Sequence, residues 1–271
     1  MHDLLQALHL RHVEKGLPDL MEQARMHSLT YDAFLRRFLT MEVEGRKLAA
    51  AHTRLKAAKL PARKTLEEFD FAFQPTIDQR QLWELAELSL VKTHQNVVFL
   101  GPPGVGKTHL AVALAVKALE ADYSVLFTTL ASLAEDLASV PHPSLRRQRL
   151  RRYLTPRVLV LDEIGSTRLT AELSHSLFEL VRDRYEKGAL ILTSNTSFAE
   201  WGSLLNDEIL ASALLDRLLH HVEVITVSGK SFRMKDRVAG EKSKTGSAAK
   251  QSEELDGSSR DPPCGWVRFR R

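Results

Sequence analysis

Residues 97–108 read VVFLGPPGVGKT, and this stretch constrains the chain more than any other. Four apolar residues run into glycine, and the helix-forming HLAVALAVKALEA follows. That is the strand–loop–helix context a GxxxxGK[ST] phosphate loop requires. Glycines at such positions let backbone N–H groups turn inward around a phosphate, where side chains would block the approach. A helix starting near Lys107 adds partial positive charge at its N-terminus. The loop residues Gly101, Pro102, Pro103, Gly104, Val105, Gly106, Lys107 and Thr108, with His109 directly after them, are therefore candidate nucleotide contacts. Lys107 is placed to reach the β- and γ-phosphates, and the Thr108 hydroxyl to hold Mg²⁺. The bland alternative is a plain glycine turn, and the flanking pattern argues against it.

A length of 271 residues suits one core domain and a smaller accessory domain. Hydrophobic residues at 44% can build a core, and 27% charged residues fit a soluble globular chain. No apolar run approaches the roughly 18–20 residues of a membrane span, and the start MHDLLQALHL lacks signal-peptide order. The single cysteine, Cys264, excludes a disulfide framework and a cysteine metal site, so a cytoplasmic location without membrane contact is expected. With a net charge of only +4, any nucleic-acid binding must come from local clusters.

Residues 1–64 read as a separate helical domain. Leu4, Leu5 and Leu8, then Leu17, Leu20, Met21 and Ala24, recur at helical spacing. Thr30 looks like a helix cap, and Leu60-Pro61 ends the pattern. Twelve Lys/Arg against seven Asp/Glu leave this part at +5, compatible with DNA or partner binding or with a dimerisation or docking module. Residues 65–237 form the nucleotide core. They open with Phe69, Phe71 and Phe73, which suit core packing or a place beside the base, and a helix is predicted from Asp78 through Leu90. Five apolar runs then alternate with helical segments: VVFL, SVLFTTL, RVLVLD, ALILTS and VEVITV. That alternation predicts a parallel sheet covered on both faces. Residues 238–271 are polar and read as a disordered tail.

The apolar strand VLVL ends in Asp162-Glu163. Carboxylates at the carboxyl end of a buried strand stand in the crevice where α/β sheets bind ligands. Asp162 is the candidate Mg²⁺ acid, and Glu163 the candidate to orient or deprotonate the attacking water. Strand ALILTS runs into Asn195, a candidate to sense the γ-phosphate or hold the water. Arg217 lies in an apolar helix, where an unpaired charge would be costly, and Arg233 follows the last strand. Either can stabilise a transferred phosphoryl group, in cis or from a neighbour; Asp216 and Asp236 are their alternative partners. Finally, SLRRQRLRRYLTPR holds Arg146, Arg147, Arg149, Arg151, Arg152 and Arg157, with no acid between Asp136 and Asp162. Six like charges favour a polyanionic partner over a solvated face, and the first five are candidate DNA contacts.

GPPGVGKTHLA, VLVLDEIG, LTSN, LLDRLLHH and GKSFRMKDR, preceded by RLKAAKLPARKTLEEFDFAFQPTID, resemble the IstB-like ATPases. These are transposition helper proteins of bacterial insertion sequences, related to DnaC-type replicative helicase loaders. The resemblance covers about residues 1–237. It implies an α/β AAA+ P-loop NTPase core with a five-stranded parallel sheet in the order 5-1-4-3-2, a small N-terminal all-helical domain and no C-terminal lid. It also implies ATP and Mg²⁺ as cofactors and Mg²⁺-dependent hydrolysis. Residues 101–108 correspond to Walker A, Asp162 and Glu163 to Walker B, Asn195 to sensor 1 and Arg217 to a finger supplied in trans; Arg233 resembles an arginine that follows the last strand. Residues 132–153 correspond to the extra helical element that faces DNA in initiator-type relatives. The implied activity is an ATP-dependent regulator that assembles into oligomers on double-stranded DNA and recruits an integrase-type transposase. A helicase loader is the alternative, and a small-molecule kinase fits less well because of Glu163, Arg217 and the arginine cluster.

Overall fold

A computed structural model of the chain describes residues 1–140, 142–166 and 168–232. Arg233, Asp236 and residues 238–271 lie outside the described residues.

Three helices open the chain: α1 (His2–Ala7), α2 (Arg11–Met26) and α3 (Tyr31–Ala58). Thr30 caps α3, its hydroxyl accepting from the Ala33 N–H at 3.3 Å. Leu5, Val13 and Leu17 form a small core with Phe34, Phe38 and Met41 of α3, while Leu4, Leu8 and Met21 stay exposed. Glu42 joins α3 to the start of α2. Its carboxylate, 3% exposed, accepts from the N–H groups of His12 and Val13 at 2.8 and 3.0 Å and from Arg46 Nε at 2.7 Å. Burial pushes the carboxyl pKa up, but the Arg46 hydrogen bond and the two N–H groups outweigh it and hold the group below the ordinary carboxylate range. A lowered folded-state pKa means that the stabilisation is full above the ordinary range and is lost as pH falls through the folded value. Glu42→Ala is expected to cost about 2–3 kcal/mol at neutral pH. Urea unfolding of the full chain checks this, and the difference from the unaltered chain should shrink in acid.

Lys59, in the left-handed region at φ 53°, ends α3. The end of this helix is tied to the core, with Ala58 fully buried and Arg54 paired with Asp122. Residues 66–77 then fold as consecutive turns. The helix expected from Asp78 through Leu90 is broken in two, α4 (Gln79–Ala86) and α5 (Ser89–Lys92). Leu88 sits between them at φ 63°, a turn that lets Leu88, Leu90 and Val91 all reach the core.

The core follows as β1 (Asn96–Leu100), α6 (Lys107–Glu120), β2 (Val125–Thr129), α7 (Leu130–Ala138), α8 (Pro143–Leu154), β3 (Val158–Ile164), α9 (Ala171–Arg184), β4 (Ala189–Ser194), a 3-10 turn (Phe198–Glu200), α10 (Trp201–Leu205), α11 (Glu208–Leu219) and β5 (Val222–Thr226). All strand pairs are parallel, in the order β2-β3-β4-β1-β5. This is the sheet order of the AAA+ fold read from the other edge. Alternation along each strand serves two cores. Val97, Phe99, Val158, Val160 and Ile191 pack with α6, whereas Val98, Leu159, Leu161, Leu190 and Leu192 pack with α7, α9, α10 and α11. Among the described residues no α-helix follows β5, and no helix is long and apolar enough to cross a membrane.

Arg184, at the end of α9, is 1% exposed. Its guanidinium donates to the carbonyls of Tyr153, Pro156 and Ala189 at 2.9 Å each, and to those of Leu154 and Arg157 at 3.4 and 3.2 Å. Burial pulls its pKa down to about 10, and the carbonyls stand in for the missing carboxylate. They include the end of α8, so this one side chain fixes the arginine-rich helix to the sheet.

Candidate functional site

Between β1 and α6 the backbone bends through Gly104 at φ 82° and Gly106 at φ 103°. A Cβ on Gly106 would stand 2.6 Å from the Phe69 ring, and one on Gly104 would stand 2.2 Å from Ser231 Oγ, so the loop has no room for side chains there. Val105 is buried, and Lys107 begins α6. Lys107 is 6% exposed and donates to the Gly101 and Pro102 carbonyls at 2.7 and 2.8 Å. Thr108 donates to the Asp162 carboxylate, its oxygen 3.0 and 3.1 Å from Oδ1 and Oδ2. A hydroxyl and a buried carboxylate that already meet make a hard oxygen pair suited to Mg²⁺.

Thr193, near the end of β4, completes this cluster. Its hydroxyl donates to Asp162 Oδ1 and accepts from the Glu163 N–H at 3.0 Å. The ladder between β3 and β4 shifts register between Leu161 and Ile164. Within the shift Glu163 adopts φ 61°, a left-handed conformation that costs a non-glycine residue about 1–3 kcal/mol. Asp162 is 4% exposed, whereas Glu163 is turned to the surface of the crevice. The Asn195 N–H donates to the Ile164 carbonyl at 3.3 Å just past β4. Lys107, Thr108, Glu163, Thr193 and Asn195 line one cavity of about 440 Å³. Pro103, Gly104, Val105, Gly106 and His109 line it too, with Phe69 and Gln74 of the preceding segment. His109 also points back to that segment, donating from Nε2 to the Thr65 carbonyl at 2.8 Å and meeting the Phe69 ring edge-on. Phe69 both packs in the core and walls the cavity.

Arg217 does not join this group. It lies near Asn96, Leu190 and His221, at the amino ends of β1, β4 and β5, while the cavity opens at the carboxyl ends. Its guanidinium stands 5.1 Å from the Phe178 ring centroid, and Nη1 donates to the Ala213 carbonyl at 2.9 Å. It forms no ion pair with Asp216 among the described residues.

The arginines of α8 divide into two groups. Arg146 meets Glu172 of α9 at 3.3 Å with its side chain 16% exposed, and Arg149 and Arg152 lie 3.6 and 3.8 Å from Asp136 of α7. Tyr153 donates to the same Asp136 at 2.7 Å, and burial followed by that carboxylate pushes its phenol pKa up. The lack of acids within the segment is thus offset by acids from neighbouring helices. Arg147 and Arg151 are exposed and have no acid at ion-pair distance among the described residues. Two contributors to these arrangements, Thr193 and Asp136, escape a reading of the motifs. A polar Thr193-Ser194 pair at the end of an otherwise apolar strand is the one signal pointing to the first.

The sequence pattern of the IstB-like ATP binding proteins matches residues 3–240. The IS21 insertion sequence ATP-binding protein of Pseudomonas aeruginosa is 45% identical over 240 residues, 88% of this chain and 91% of the relative. Its IS5376 counterpart from Geobacillus stearothermophilus is 38% identical over 237 residues, 88% of this chain and 94% of the relative. Among solved structures, DnaI superposes with a TM-score of 0.51 at 20% identity, over 62% of this chain and 90% of DnaI. AMPPCP-bound DnaA from Aquifex aeolicus gives 0.50 at 20% identity, over 69% and 56% of the two chains. These structural likenesses establish the AAA+ P-loop fold, and the sequence matches establish the family: this chain belongs to the IstB-like ATP binding proteins.

Proposed function

We propose that this chain is a Mg²⁺-dependent ATPase that regulates transposition, assembling on double-stranded DNA in its ATP-bound form and recruiting an integrase-type transposase. The observation that carries this reading is the hydrogen-bonded cluster of Thr108, Asp162, Thr193 and Glu163, of which Thr108, Thr193 and Glu163 line the cavity of the phosphate loop. Residues 101–108 hold the triphosphate, with His109 beside them on the same cavity. Thr108 and Asp162 would hold Mg²⁺, which would supply positive charge to the phosphates. Glu163 orients and deprotonates the attacking water, Asn195 holds that water or the γ-phosphate, and Arg217 of a neighbouring copy supplies charge. Arg233 is assigned to the nucleotide by resemblance alone. Two relatives that carry insertion-sequence names supply the transposition context. The test is phosphate release with and without Mg²⁺, alongside duplex binding and transposase capture with and without ATP. Release without Mg²⁺, or duplex binding indifferent to ATP, would count against the proposal. Capture of a replicative helicase in place of the transposase would favour the loader reading.

DNA contact is assigned to α8, with Arg147 and Arg151, which meet no acid at ion-pair distance among the described residues, and with Arg146, Arg149 and Arg152 contributing from their ion pairs. Arg147 and Arg151 are four apart and share a helical face. Phosphate contacts release counterions, so log affinity should fall with log salt by about 0.9 per phosphate neutralised. Replacing both Arg147 and Arg151 by alanine should reduce that slope by roughly two, equally for unrelated duplexes, because backbone contacts carry no base information. The check is a salt series on two duplexes of different sequence. An unchanged slope would move the DNA site to the basic N-terminal helices.

A further inference from the structure

Besides the phosphate loop and the acids, the cavity is lined by Pro61, Ala62, Lys64, Phe69, Asp70, Gln74 and Phe232. Four apolar residues suit a flat heteroaromatic ring, and of the polar residues beside them, Lys64, Asp70 and Gln74, Gln74 is the buried one. Gln74 is 2% exposed, and its Nε2 donates to the Lys230 carbonyl at 3.0 Å. A carbonyl can only accept, so this bond fixes the amide orientation and identifies the other atom as oxygen. That Oε1 is buried and has no hydrogen-bond donor among the described residues. Gly229 closes one side of it, since a Cβ there would stand 2.4 Å away. Buried acceptors without a donor are rare in folded proteins, and each requires a reason. Holding the loop after β5 is not a sufficient one. Thr76 already donates to the Ser228 carbonyl at 2.7 Å, and the Phe73 and Phe232 rings meet edge-on at 5.3 Å.

We infer that Gln74 selects the nucleobase, its Oε1 accepting from the 6-amino group of adenine; the inference rests on the nucleotide reading above. Adenine presents a donor at that edge, and guanine presents a 6-oxo acceptor that would oppose Oε1 acceptor to acceptor. The apolar walls contribute to both purines alike, so discrimination falls to the polar lining, and the unsatisfied buried oxygen of Gln74 assigns it to the amide.

The experiment measures the dissociation constants of ATP, GTP and purine riboside triphosphate, which lacks the 6-amino group, on the full chain and on Gln74→Leu. The unaltered chain is expected to bind ATP roughly tenfold to a hundredfold more tightly than either of the others. In Gln74→Leu the ratio of ATP to the purine analogue should approach one, because group and partner form a double-mutant cycle. Equal affinity of the unaltered chain for ATP and the purine analogue overturns the inference and leaves the nucleotide reading intact, and this arm needs no variant to fold. A Gln74→Leu chain that weakens all three alike, with the ratio preserved, assigns Gln74 to loop packing and also overturns it. No binding of any triphosphate overturns the nucleotide reading itself and the inference with it.

Discussion

Glu163→Gln is expected to bind ATP as the unaltered chain does and to hydrolyse it roughly 10²–10⁴-fold more slowly, the usual contribution of a positioned general base. The substitution keeps the shape of the side chain and leaves the backbone as it is, so the left-handed turn at φ 61° and the N–H bond to Thr193 at 3.0 Å should survive. Asp162 and Thr108, which meet at 3.0 Å, are untouched, so Mg²⁺ and phosphate contacts should persist. Only the basic oxygen is lost. With hydrolysis blocked, the variant should remain in ATP-dependent assemblies on DNA longer than the unaltered chain. Single-turnover phosphate release, paired with fluorescent-ATP titration, separates the two effects. Turnover equal to that of the unaltered chain would mean another group orients the water. Loss of binding as well would mean that Glu163 shapes the pocket.

The strands and the phosphate loop were legible in the sequence because each is a local pattern with a local cause. Continuous apolar runs are what a strand buried on both faces requires, and strands appear where VVFL, SVLFTTL, RVLVLD, ALILTS and VEVITV predict them, the last, with its Glu223, at a partly exposed edge of the sheet. The loop is legible because only glycine tolerates the backbone at Gly104 and Gly106. What escaped the sequence depends on contacts between distant segments. Asp136 and Glu172 are separated along the chain from the arginines they meet, so α8 looked more uniformly unpaired than it is. Thr193 acquires its place from a register shift between β3 and β4 that no residue pattern announces. Arg184 reads as one more charge near a helix end, yet it is buried against five carbonyls brought from two segments, residues 153–157 and Ala189. The break at Leu88 is similar, since residues 78–90 carry no glycine or proline to mark it and the pull of the core on Leu88 and Leu90 decides it.

Arg217→Ala is expected to retain ATP binding and to lose hydrolysis by about 10³–10⁵-fold, the range over which arginine fingers act. Its position requires a trans role if it acts on phosphate at all. Arg217 neighbours Asn96, Leu190 and His221 at the amino ends of the strands, whereas Lys107, Thr108 and Glu163 line the cavity at the carboxyl ends. Within one chain it rests on Phe178 and the Ala213 carbonyl, with no acid to neutralise it among the described residues. Those are weak partners for a guanidinium, and a neighbour's phosphates would be stronger ones. Lys107→Ala provides the complement. It should lose useful nucleotide affinity, because the buried ammonium that closes the loop at 2.7 and 2.8 Å is gone, while its own Arg217 stays intact. Neither variant should hydrolyse ATP alone. Mixed, they should recover part of the activity, since an intact pocket on one subunit then meets an intact finger on the other. The measurement is phosphate release across mixing ratios, with mixed assemblies verified by differently tagged chains. Recovery that peaks at intermediate ratios supports the trans assignment. No recovery in verified mixed assemblies would leave Arg217 a structural residue of α11, held by Phe178, and the charge on the transferred phosphoryl group would have to be met by another residue.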